Sequence, residues 1–120
     1  MLVTTIIRVT AWLLLVAIAV VSLAPPWFRP VPDIPHAVEH FVIFLATGLA
    51  FGLGYSGPYL SRLIPLTSYT AAVEIAQLWV PGRHARLSDF LIDALGASVG
   101  LVIGLALVRF SGQFQWEQER

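Results

Sequence analysis

The sequence predicts an all-α membrane protein, a polytopic bundle of four transmembrane helices. Three observations point there. The chain of 120 residues is 58% apolar and 12% charged, with a mean hydropathy of +0.81, whereas soluble domains average roughly 45–50% apolar and about 25% charged residues. Its apolar residues fall into four stretches of about 20 residues, the length that crosses ~30 Å of hydrocarbon. Proline and glycine breaks separate those stretches, so the whole chain, 1–120, reads as a single transmembrane domain.

The first span runs from about Ile6 to Ala24. Arg8, the apolar run and Ser22-Leu23-Ala24 also resemble a secretory leader with a small-residue cleavage site, but the apolar chain resumes soon after Pro25, and a retained span is the preferred reading. Pro25, Pro26, Pro30, Pro32 and Pro35 make a stiff, extended connection, with Trp27 and Phe28 at the level of an interfacial aromatic belt. The second span covers about His36 to Tyr55, with Pro35 placed to open it, and Gly57-Pro58 follows as a break. The third covers about Tyr59 to Val80, carries Pro65 inside it, and is stopped by Pro81-Gly82. The fourth starts at Ser88, a good N-cap ahead of Asp89, and continues to about Phe110. The polar tail from Ser111 to Arg120 lies outside the spans.

All seven basic residues are arginine and the formal net charge is zero. No basic tract exists that would neutralise a phosphate backbone, so nucleic acid is not an expected partner. The chain has no cysteine, which excludes thiolate chemistry and disulfides. Four spans put both termini on one side with Arg8, Arg62, Arg109 and Arg120, against Arg29, Arg83 and Arg86 on the other. That small excess predicts cytoplasmic termini and an outward-facing 74–96 connection.

The expensive side chains of so apolar a chain select one end of the bundle. Glu39 and His40 open the second span, Glu74 and Gln77 close the third, and Asp89 and Asp93 open the fourth, with Arg83, His84 and Arg86 in the connection above them. No comparable cluster is expected at the other end. At about 100° per residue, Asp89, Asp93, Gly96, Gly100 and Gly104 share an arc of roughly 80°. Small residues at four-residue spacing mark close helix approach in membranes, so both aspartates face a neighbouring helix. Thr67, Thr70, Glu74 and Gln77 share one face of the third span, and Gly48 with Gly52 forms a second small-residue pair. Carboxylates near a helix end also snorkel to the interface at little cost, and Glu74 with Arg83 would serve equally as a structural ion pair. The reading preferred here is a shared polar pocket of Glu39, His40, Glu74, Gln77, Arg83, Asp89 and Asp93. Arginine pairs bidentately with phosphate or carboxylate, which suits that pocket to an anionic group.

At these residues the chain resembles the VanZ-like family of small membrane proteins, named for a member associated with teicoplanin resistance. The resemblance rests on Glu39-His40-Phe41, Glu74-x-x-Gln77, Pro81-Gly82-Arg83, Asp89 and Gly96, and covers roughly His36 to Gly104. Two positions depart from the family pattern: His36-Ala37 replaces an Asp-Lys pair, and Asp93 replaces an asparagine. The resemblance implies a multi-pass protein of the bacterial inner membrane with a role in the cell envelope. It implies no reaction, catalytic residue, cofactor or metal.

Three functions follow as expectations. The first is an accessory or binding protein whose outward pocket engages an envelope ligand, either a lipid-linked phosphate or a glycopeptide antibiotic. The second is an intramembrane metal-dependent hydrolase, because His36-x-x-Glu39-His40 has the inverted zincin spacing; chance accounts for so short a pattern more readily. The third is a proton-coupled carrier subunit using His40, Glu74 and Asp93, which needs a homo-oligomer to complete a path. The partners expected are membrane lipid, an anionic envelope ligand and a second copy of the chain.

Overall fold

The computed structural model describes residues 2–24, 36–55, 57–80 and 87–111, with backbone alone at His36 and Ser111. The proline-rich segment with Trp27 and Phe28, the segment holding Pro81, Gly82, Arg83, His84 and Arg86, and the polar tail lie outside these residues. Four α-helices account for nearly all of the described chain: α1 (Leu2–Leu23), α2 (His36–Gly54), α3 (Leu60–Ala76) and α4 (Leu87–Ser111). A 3₁₀ turn, Gln77–Trp79, extends α3. No strand occurs among the described residues.

Three helices, α1, α2 and α4, are long and apolar enough to cross a membrane. The exception, α3, has 17 residues, and Ser61, Arg62, Ser68, Thr70 and Glu74 reduce its apolar character. Its helix continues through Pro65. Pro65 lacks the N–H that would bond to the Ser61 carbonyl. The fourth helix differs from expectation at its start. It begins at Leu87, so Ser88 lies inside the first turn and does not cap it, while Asp89 occupies the first turn as expected.

The bundle is organised around α2 and α4, which are not consecutive in the chain and run in the same direction. Residue contacts are far denser between them than between any other pair of helices. Glycine makes this possible. A Cβ on Gly96 would stand 2.7 Å from the Phe41 carbonyl oxygen, one on Gly104 2.8 Å from that of Leu49, and one on Gly52 2.8 Å from that of Leu101. A Cβ on Gly100 or Gly48 would run into the carbonyls of Leu45 and Ala97 respectively. Each helix thus lays a small-residue stripe on the other's backbone. In hydrocarbon, where apolar burial between helices contributes little, such close packing is a main source of association. Ala97 and Leu101 at this seam are fully buried.

The outer helices pack around this pair. Thr4, Ala11 and Ile18 recur every seven residues along α1 and form its buried stripe, while Val9, Trp12, Leu13, Val16 and Val20 are exposed. Phe44, Phe51 and Leu66 complete the apolar core with Ala11 and Ile18. The connection from α2 to α3 is tight: Gly57 adopts φ +119°, a left-handed conformation that only glycine enters at no steric cost, and Pro58 follows it.

Candidate functional site

Two ends of the bundle carry polar chemistry, and they differ in sign. At the first end, the shared direction of α2 and α4 brings their opening turns side by side. His40 Nδ1 and Asp93 Oδ1 lie 2.8 Å apart, and both side chains are largely buried, at 14% and 4% exposed. A carboxylate can only accept, so beside an ionised Asp93 the His40 Nδ1 carries the proton. Asp89 sits one turn before Asp93 and is half-buried.

The inward face of α3 supplies the rest. Arg62, Leu66, Thr70 and Glu74 are its buried residues, and Gln77 is buried on the 3₁₀ turn that follows. The Thr70 hydroxyl donates to the Thr67 carbonyl at 2.7 Å, so its burial leaves no donor unpaired. Gln77 Nε2 donates to the Ser22 carbonyl at 3.0 Å, fixing the far end of α3 to the end of α1. Glu39, His40, Gln77 and Ser22 line a cavity of about 40 Å³ floored by Ile18 and Phe44. That is room for one or a few water molecules, each of which occupies ≳ 10–15 Å³ by the same measure. A lipid head group does not fit inside it.

Of the residues predicted from sequence, Glu39, His40 and Gln77 therefore share one water-sized cavity, and Asp93 joins it through His40. Glu74 is buried on the same face of α3 without lining the cavity. Arg83, with Arg86, lies outside the described residues, as does the side chain of His36. Among the described residues, no three His, Asp or Glu side chains gather closely enough to hold a metal ion.

The second end overturns the expectation that it carries no cluster. Helix α2 stops at Gly54, where its last carbonyls run out of intrahelical donors; Arg8 supplies one to Gly54, and Arg62 supplies the carbonyls of the connection that follows. Arg8 Nε donates to the Gly54 carbonyl at 2.6 Å. Arg62, 7% exposed, donates to the carbonyls of Tyr55 and Gly57 and reaches that of Pro58 at 3.4 Å. Both cations also oppose the negative end of the α2 dipole. Aromatic rings enclose them: the Arg8 guanidinium lies 4.8 Å above the Tyr55 ring, Trp12 Nε1 donates to the Tyr55 hydroxyl at 2.9 Å, and Phe51 stacks on Tyr55 at 5.8 Å. The sequence contained a signal for this cluster. Arg8 and Arg62 were already placed on the side where α2 ends, and the end of a helix always needs donors.

No curated protein and no solved structure matches the chain. The sequence profile of VanZ/LLP1 matches residues 3–109, a range that takes in all four helices, the His40–Asp93 pair and both arginines at the end of α2. The chain belongs to the VanZ/LLP1 family.

Proposed function

We propose that the protein is a four-span accessory or binding protein of the bacterial cytoplasmic membrane, and that its outward polar end receives the anionic group of an envelope ligand. The observation that carries this reading is the burial of Glu74, Gln77 and Asp93, at 7%, 5% and 3% exposed, at one end of the bundle. Ionisable groups inside a membrane protein are costly and concentrate at functional sites. The fourth span is supported by the reach of α3. Its Arg62 holds the connection that leaves α2 at one end, and its 3₁₀ extension holds Ser22 at the other, about 15 residues or ~22 Å of helix apart.

The cavity between Glu39, His40 and Gln77 takes water only. An anionic ligand larger than that needs other donors, and we assign them to Arg83 and Arg86, which the sequence places between α3 and α4 and whose guanidinium groups pair bidentately with phosphate or carboxylate. A lipid-linked phosphate fits this chemistry, and so does the carboxylate of a glycopeptide antibiotic. The test is alanine substitution of Glu74, Arg83 and Asp89, read by teicoplanin susceptibility of the host and by an immunoblot of its membranes. The reading expects the phenotype to be lost while the protein stays at its normal level in the membrane. Disappearance of the variants from the membrane fraction makes the residues structural and removes the site.

A second reading has one observation in its favour. The His40–Asp93 pair, a titratable imidazole and a carboxylate 2.8 Å apart, adjoins a cavity the size of a few waters, as a proton relay requires. Proton uptake by proteoliposomes under an imposed potential, lost in His40→Phe, would support this reading, and tight vesicles would count against it.

A further inference from the structure

We infer that the cleft between α1 and α3 at the arginine end is a binding site for an acidic phospholipid, one acyl chain lying along the cleft and the phosphate facing Arg8 and Arg62. This rests on the reading of the helices as membrane-embedded. The cleft has a volume of about 480 Å³ and is walled by Trp12, Leu15, Phe51, Pro65, Leu66 and Tyr69, with Arg62 and Tyr55 at one end. That is within the roughly 300–1,000 Å³ of ordinary ligand sites, which likewise combine apolar walls with few polar groups. The Tyr69 hydroxyl is already committed to the Leu15 carbonyl, so the walls offer a chain no unsatisfied polar group.

Charge identifies the occupant. The acids among the described residues, Glu39, Glu74, Asp89 and Asp93, all belong to the opposite end. Arg8 and Arg62 meet backbone carbonyls and a ring, which satisfy hydrogen bonds without neutralising charge. Arg62 Nε is moreover buried with no acceptor, an omission that normally has a cause. Trp12 borders both this cleft and a second concavity lined by Arg8, and the Arg8 guanidinium lies 4.8 Å over the ring of Tyr55, which lines the cleft, so both cations adjoin its mouth. A lipid phosphate supplies the missing negative charge, and its chain fills the apolar volume.

The experiment uses the full chain with Trp27, Trp79 and Trp116 changed to Phe, reconstituted in vesicles of phosphatidylcholine mixed with phosphatidylglycerol. Bromine on the acyl chains of one or the other lipid then quenches Trp12 from the cleft and from bulk lipid alike, so the difference between the two brominated lipids reports selective occupancy. The expected result is stronger quenching by the brominated acidic lipid. That preference should fall about fivefold in Arg8→Gln, a change that removes the charge but keeps an N–H for the Gly54 carbonyl. Ser61→Phe, which fills the mouth of the cleft, should reduce quenching by both lipids. Arg109→Gln, at the same end of α4 but outside the cleft, should leave the preference intact. Equal quenching by both lipids, or an equal loss in Arg109→Gln, overturns the site. Displacement by inorganic phosphate without loss of the chain signal also overturns it, as a free-anion site. Failure of the protein to float with the vesicles overturns the membrane reading itself.

Discussion

His40 on α2 and Asp93 on α4 meet at 2.8 Å, one turn ahead of the point where Gly96 lets the two backbones close on each other. The glycine seam sets the register, and the register sets the pair. Asp93→Ala strands the His40 N–H in a buried position and should cost about 1–3 kcal/mol. Asp93→Asn keeps an acceptor there and should cost less. The double variant His40→Phe with Asp93→Leu should be milder than the sum of its parts, because the 2.8 Å contact they share is lost only once. Thermal unfolding in detergent measures all three, and additivity in the double variant would show that the pair is not coupled.

The seam makes its own prediction. Gly100→Ala drives a methyl into the Leu45 carbonyl, which lies on a rigid helix and cannot swing aside. Overpacking of this kind costs typically 1–3 kcal/mol, and Gly100→Val should cost more. Gly54→Ala is the control: its nearest neighbour would be the Arg8 side chain, at 3.1 Å, which can give way. Melting temperatures in one detergent should rank Gly54→Ala above Gly100→Ala above Gly100→Val. A Gly100→Ala protein as stable as the native one would remove the seam from the account.

Arg62 should be irreplaceable by lysine. Its planar guanidinium spreads donors over the carbonyls of Tyr55, Gly57 and Pro58, whereas an ammonium is a point charge that cannot reproduce the fork. Arg62→Met should lose about 1.5–3 kcal/mol for each charged hydrogen bond left unmade, softened where water enters. Arg62→Lys should recover only part of it. Hydrogen exchange at the 55–59 connection reads the effect locally, and full protection in Arg62→Lys would contradict it.

Much of this was legible in residue types. Apolar runs bounded by proline and glycine located all four helices to within a few residues, because the length of a span is set by hydrocarbon thickness rather than by details of packing. Periodicity put Asp93 on the same stripe as Gly96, Gly100 and Gly104, and Glu74 and Gln77 on the buried face of α3. What periodicity within one helix does not contain is the register between two. It gave no reason for His40 to choose Asp93 over Glu74, or for α2 to pack on α4 more than on its chain neighbours. The arginine cluster escaped for a different reason. Its partners are main-chain carbonyls, which have no letter in the sequence, and a count of arginines by side treats Arg8 and Arg62 as topology signals only.

The central claim is that the polar end, and not the arginine end, receives the envelope ligand. The most direct measurement is binding of a polyprenyl phosphate to the purified protein, by native mass spectrometry in detergent, for the native chain and for Arg83→Ala, Glu74→Ala and Arg109→Gln. The account predicts at least about tenfold weaker binding, a loss of about 1.4 kcal/mol or more, in Arg83→Ala and Glu74→Ala, with Arg109→Gln unchanged. Equal binding by all four proteins, or a loss confined to Arg109→Gln, would contradict it.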